Sequence, residues 1–158
     1  MGSREKILEA VLTNQPEKMQ LPDISVFKGD TGDKTRRYIT TFSDVGGTAL
    51  LIGDIKEIKM RVTEKYDISK RIITTIPQLS DTYEALSATV DPHTYEDVEL
   101  AIIKTGLAVA ENGAVWLTEE NMGQRIIPYI CQHLAVLVEE TDIVPTMHEA
   151  YEKIGSGN

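Results

Sequence analysis

A chain of 158 residues, 41% of them hydrophobic, is one domain's worth of sequence with enough apolar material for a buried core. Its net charge of −9 is unevenly spread, with 13 Lys and Arg against 11 Asp and Glu in residues 1–71 and only 3 against 14 in residues 72–158. The acidic balance argues against nucleic-acid binding, which needs a basic face, and without an apolar run of about 18 residues no segment spans a bilayer as a helix.

The opening Met1-Gly2-Ser3-Arg4 leads into a polar helix and not into the apolar region of a signal peptide, so the expected compartment is cytoplasmic. Ser3 is placed to cap this helix, whose apolar residues Ile7, Leu8, Val11 and Leu12 share one face, with Pro16 just beyond its end. Residues 15–34 turn to Pro, Asp and Gly, a long connection with Gly29-Asp30-Thr31-Gly32 at its tip. Residues 1–32 thus read as a peripheral helix and loop on a single domain covering 1–158.

Asp33 then caps a helix carrying Tyr38, Ile39, Phe42 and Val45, stopped by Gly46-Gly47. Thr48 to Ile52 is wholly apolar and short, the pattern of a buried strand. Asp54 and Glu57 make a capping-box-like pair opening the next helix, with Ile55, Ile58, Val62 and Tyr66 as its buried stripe and Glu57–Arg61 as an exposed i, i+4 pair. Arg71 to Ile76 follows as a second strand ending at Pro77. Helices alternating with continuous apolar strands predict a parallel sheet covered on both faces, hence α/β architecture.

Residues 78–93 carry a weak pattern, with a helical turn at Thr82 to Leu86 and a stop at Asp91-Pro92. Val98 to Ile103 is the third strand. Two short apolar runs, Leu107 to Ala110 and Ala114 to Leu117, then flank Asn112-Gly113, a dipeptide suited to the two left-handed residues of a type I′ hairpin turn. The antiparallel hairpin makes the sheet mixed, and the predicted fold is a three-layer α/β/α sandwich with a largely parallel sheet. An acidic loop at Glu119 to Met122, a short helix or turn around Pro128, a buried strand at Leu134 to Val138 and a last helix from Met147 to Ile154, opened by Thr146 and Glu149, complete the chain.

Few motifs carry chemistry. No Gly-x-Gly-x-x-Gly lies between a strand and a helix, no Walker lysine is present, and Gly-x-Ser-x-Gly is missing. His93, His133 and His148 are far apart, and the one cysteine, Cys131, can build neither a disulfide framework nor, alone, a zinc site or an iron–sulfur cluster. Flanked by Ile130 and Leu134, it reads as a small buried side chain. Glu111 stands where the first hairpin strand meets its turn, so it is either a positioned carboxylate, acting as nucleophile or general base, or a solvated strand end. Arg125, the only arginine after Arg71, either clamps a carboxylate or phosphate or pairs with a structural acid.

The stretch Leu100 to Thr118, with Ala110-Glu111-Asn112-Gly113 at its turn, Gln124 to Pro128, and His133 to Val138 resembles the LUD domain family, typified by lactate utilization protein C. The resemblance runs from about residue 33 onward and takes in Asp142-Ile143-Val144 and the helix after it. It implies the NagB/RpiA/CoA-transferase-like α/β fold and a non-iron–sulfur role in oxidising L-lactate to pyruvate beside iron–sulfur oxidoreductase subunits. With it comes a candidate site, with Glu111 as candidate catalytic carboxylate and Asn112, Gly113, Arg125 and His133 as candidate ligand-binding residues; the residue spacing gives no metal site, and no cofactor is evident in the sequence. Glu111-Asn112-Gly113 is similar to part of the CoA-transferase signature as well, in which a glutamate attacks an acyl-CoA ester; the serine preceding it there is Ala110 here. That leaves two alternatives: an acyl-transfer enzyme acting on a CoA ester, and a ligand-binding module without catalysis. Proteins of the family continue past the last helix into a further strand with a Gly-Pro-Ser-x-Thr-Ala-Asp-Ile-Glu segment, so the sequence looks truncated at Asn158 and is expected to expose a sheet edge that a second copy could cover.

Overall fold

The structure is a computed structural model and describes residues 2–17, 19–20, 22–23 and 32–155. Most of the loop tip predicted at Gly29-Asp30-Thr31-Gly32 and the last three residues of the expected stop at 155–158 lie outside the described residues.

The first helix, α1 (Ser3–Thr13), begins at the residue expected to cap it: Gly2 is the N-cap, and its N–H donates to Glu5 Oε2 at 2.7 Å. Its apolar face is not buried, Leu12 being 70% exposed. In α2 (Lys34–Asp44) the Asp33 carboxylate accepts from Arg36 N at 2.9 Å, as expected of a cap. Thr48 to Ile52 is not a strand. The segment is irregular, with Leu50 and Leu51 exposed, because no neighbouring strand pairs with it. Asp54 caps α3 (Ile55–Lys65) through Lys56 N and Glu57 N, and Glu57 reaches back to Gly53 N at 3.0 Å while pairing with Arg61 at 3.0 Å.

Among the described residues seven strands form two sheets. Strands β1 (Arg71–Thr74), β2 (Glu84–Ala85), β3 (Val98–Lys104) and β6 (His133–Leu137) make an all-parallel sheet in the order β2-β1-β3-β6. Strands β4 (Ala108–Val109), β5 (Ala114–Val115) and β7 (Ile143–Val144) make a second sheet, with β4 antiparallel to β5 and parallel to β7. The residues expected to form a helical turn at Thr82 to Leu86 instead supply β2, since Glu84 and Ala85 pair with Ile73 and Thr74. The segment at Glu119 to Met122 is not a loop but a short helix, α4, capped by the Thr118 hydroxyl. Strand β6 is an edge strand whose first two residues are exposed, not the buried strand its composition suggests.

Both sheets are covered on two faces, which explains their continuous apolar strands. On one face of the larger sheet, Ile72, Leu100 and Ile102 cluster with Val62 of α3, and Ile55 and Ile58 of α3 and its C-cap Tyr66 pack against that cluster. On the other, Ile73 and Ala101 meet Ile127 of α5 (Ile127–Ile130). The smaller sheet is held between Tyr38 and Phe42 of α2 and Met147, Ala150 and Ile154 of α6 (Met147–Gly155). The result is a three-layer α/β/α fold with a largely parallel sheet. Among the described residues no helix is long and apolar enough to cross a membrane.

Candidate functional site

The hairpin tip is a four-residue loop, Ala110 to Gly113, between the pairs Ala108–Val115 and Val109–Ala114. It is not a type I′ turn: Gly113 has φ +71°, but Asn112 does not take a left-handed conformation. Gly113 N donates to Val109 O at 2.9 Å, closing the loop over one residue more than a two-residue turn would span, and Asn112 Oδ1 accepts from Ala114 N at 3.0 Å. Helix α2 lies beneath. A Cβ on Gly113 would stand 3.2 Å from Phe42 Cα, and Tyr38 Oη donates to Gly113 O at 3.3 Å, so both the backbone angle and the close approach call for glycine.

Glu111 stands at the carboxyl ends of the parallel pair β4 and β7. Ala110 N donates to Val144 O at 2.8 Å, bringing the loop beside the turn into α6, and Glu111 Oε2 accepts from Met147 N at 2.9 Å. The carboxylate therefore satisfies one of the unpaired amides of the first turn of α6 and complements its dipole. On the side of α6 itself, Thr146 Oγ1 accepts from Glu149 N at 3.4 Å.

The remaining predicted site residues have other partners. Arg125 pairs with Glu119 at 2.7 Å on an exposed surface, and that carboxylate holds its guanidinium pKa above the ordinary value. His133 opens β6 opposite Leu100, its ring 5.1 Å from that of Tyr66 and its Nε2 3.8 Å from Glu99 Oε1. Four residues of strand, about 13 Å, separate it from Leu137, which pairs with Lys104 at the end of β3 that feeds the hairpin. Glu111, Asn112 and Gly113 thus form one loop, while Arg125 and His133 belong to other contacts. Cys131 is half-buried and burial pushes its thiol pKa up, which suits the structural reading. No group of three His, Cys, Asp or Glu side chains among the described residues is arranged to hold a metal ion.

Two features escape sequence reasoning. At the amino end of the larger sheet, Arg71 holds Glu84 through two bonds of 2.8 and 2.7 Å and Asp97 through one of 2.7 Å, donates to the Thr94 carbonyl and covers the Tyr95 ring at 5.1 Å. At the carboxyl end, the segment after β5 folds over the strands. Trp116 N donates to Leu107 O at 2.9 Å, Thr105 Oγ1 donates to the Trp116 carbonyl, and Gln124 Nε2 donates to Ser87 O and Val90 O at 2.8 Å each. Beside this segment opens a cleft of about 370 Å³ lined by Gly106, Leu107, Trp116, Glu120, Lys153 and Ile154. The lone tryptophan is the one signal for it along the chain. A second cleft of about 390 Å³ sits at the amino end, where its three cations, Lys59, Lys70 and Arg71, are all committed to ion pairs.

The family model of the LUD domain matches residues 27–156, most of the chain. The chain belongs to the LUD domain family. Among solved structures, a DUF162 family protein from Deinococcus radiodurans is similar to this LUD protein at 18% identity, over 78% of this chain and 79% of that one, with a TM-score of 0.66. At that identity the likeness establishes the fold of the LUD chain. No curated protein matches it. Membership places the chain at family level among domains associated with lactate utilization.

Proposed function

We propose that this chain is a cytoplasmic, non-metal subunit of an L-lactate-oxidising system, working beside iron–sulfur oxidoreductase subunits that carry the electrons. The observation that carries the reading is the family match over residues 27–156. Its chemistry fits, because lactate oxidation to pyruvate releases two electrons, and a chain with one cysteine has a single thiolate to offer a cluster that takes four. This subunit therefore acts as binding or scaffold component, and its ligand-facing loop is Ala110 to Gly113.

In this reading Glu111 ties the loop to α6 through its bond to Met147 N and is not an acyl-CoA nucleophile. Affinity purification of the tagged chain from lactate-grown cells, followed by mass spectrometry, is expected to recover iron–sulfur oxidoreductase subunits, and deletion is expected to impair growth on lactate. Recovery of the chain alone, with growth on lactate unchanged, would sink the proposal. Borohydride reduction after incubation with acyl-CoA esters tests the acyl-transfer alternative: a reduced Glu111 in the peptide map would replace the scaffold reading with catalysis.

A further inference from the structure

We propose that α1 is a docking arm for a second copy of this chain: its apolar face seats on the partner's exposed segment 45–51, and the partner's α1 seats here in return. By itself α1 has little to hold it. It is 11 residues long and buries none of them, and helices shorter than about 12–15 residues are marginal in water unless an amphipathic face is packed. Ile7 and Val11, and beside them Leu8 and Leu12, stand four positions apart and so make two parallel ridges on one face, the geometry by which helices interlock with a neighbour.

A receiving surface lies on the body of the domain. Val45 is the C-cap of α2, and Leu50 and Leu51 follow in the irregular segment that pairs with no strand. These three residues and the four on α1 are each between 52% and 70% exposed. Single apolar residues scattered on a surface need no partner; a helix face of four, together with two adjacent leucines, marks an interaction surface.

Area decides the arrangement. With about 100 Å² exposed by each side chain, two α1 helices paired only with each other would bury about 800 Å² in total, no more than a crystal-packing contact. Reciprocal seating on segment 45–51 covers both apolar sets in both copies and buries about 1,400 Å², within the range of a stable interface. The contact is two-fold and closed, so neither set is left to recruit a third copy. Residues 14–33, which join α1 to α2, reach up to about 65 Å when extended, enough to carry the arm across to a partner.

Charge permits the contact. Both surfaces belong to residues 1–71, with 13 Lys and Arg against 11 Asp and Glu, and not to the strongly acidic 72–158, where two copies would repel. On α1 itself Arg4 and Lys6 are matched by Glu5 and Glu9, without the cationic excess by which a helix holds to anionic lipid. The surface is separate from the hairpin loop and does not rest on the lactate reading.

Sedimentation equilibrium of the full chain, from micromolar to sub-millimolar, is expected to show the mass rising from 17.6 kDa toward twice that value. Leu8→Glu with Leu12→Glu, and separately Leu50→Glu with Leu51→Glu, are each expected to weaken association at least about tenfold. Since α1 contributes nothing to the core, its variant keeps the fold. An equimolar mixture of the two variants is expected to regain part of the dimer, because one α1 and one segment 45–51 then remain intact and can meet. A mass of 17.6 kDa throughout overturns the proposal, whether α1 folds back on its own chain or the monomer pellets with phosphatidylglycerol vesicles. Association untouched by the Leu50 and Leu51 changes, or no recovery on mixing, overturns it as well.

Discussion

The two ends of the larger sheet are built from different materials. The amino end is laced by ions: Arg71 clamps Glu84 and Asp97, Lys70 meets Glu99 at 2.8 Å, and His133 approaches the same glutamate. The carboxyl end has hydroxyls turned onto backbone, with Thr74 Oγ1 donating to Ile102 O at 2.9 Å and Thr105 donating to the Trp116 carbonyl, and it has glycines where chain segments approach one another. Ion pairs at one end fasten the strands where the chain enters them. At the other, backbone groups are satisfied by hydroxyls and the surface beside Gly106 is open.

The largest expected effect is at the holding end. Arg71→Ala removes a guanidinium whose side chain is only 25% exposed, leaving Glu84 and the Thr94 carbonyl without their donor, and should cost about 2 kcal/mol in denaturant unfolding. The hydrogen bonds from Arg71 hold the Glu84 and Asp97 carboxyls below their ordinary pKa values. A lowered folded-state pKa means that this stabilisation is complete above the unfolded carboxylate range and is lost as pH falls through the folded value. The wild-type chain should therefore lose stability steeply below about pH 4, and Arg71→Ala should show a shallower acid limb in thermal melts across that range.

At the hairpin, Gly113→Ala meets both a positive φ and the Phe42 backbone, for an expected loss of about 1–2 kcal/mol. Gly106→Ala has neither obstacle, and its unfolding midpoint should stay close to wild type; a loss as large as that of Gly113→Ala would mean the cleft is not open. Glu111→Ala removes the acceptor for Met147 N and should cost about 1 kcal/mol, with Glu111→Gln recovering part of it because the amide oxygen still accepts. Smallest of all, Lys104→Gln breaks an exposed pair with Glu139 at 2.6 Å and should leave the melting midpoint unchanged within error.

Part of the fold is legible in the residues alone. The Asp33 and Asp54 caps, the Ile55–Ile58–Val62–Tyr66 stripe and the apolar run at Val98 to Ile103 depend on neighbours within a turn or a strand, and they fold as their patterns predict. Thr48 to Ile52 and Thr82 to Leu86 depart from their patterns for a common reason. A short apolar or mixed segment becomes a strand only if a partner lies beside it, and β1 offers its edge to Glu84–Ala85 while nothing is offered to Leu50. The candidate site divides in the same way. Asn112-Gly113 announces a turn, but the four-residue loop follows from the Val109–Ala114 pairing and the Phe42 contact, which are decided across the fold.

By itself the sequence determined the α/β class, the caps and stripes of α2 and α3, the hairpin and, through the motifs around Ala110 to Gly113, the LUD family. Those are local or short-range properties, set by propensity, periodicity and spacing. Tertiary structure alone decided that Glu111 meets the start of α6, that Arg125 and His133 lie in separate contacts, that Arg71 ties three segments and that Trp116 borders a cleft beyond β3. Apart from the Glu119–Arg125 pair, six positions apart, these join residues distant along the chain, such as Glu111 and Met147 at 36 positions, and which distant groups meet is fixed by strand order and layer packing, quantities that no short window along the chain contains.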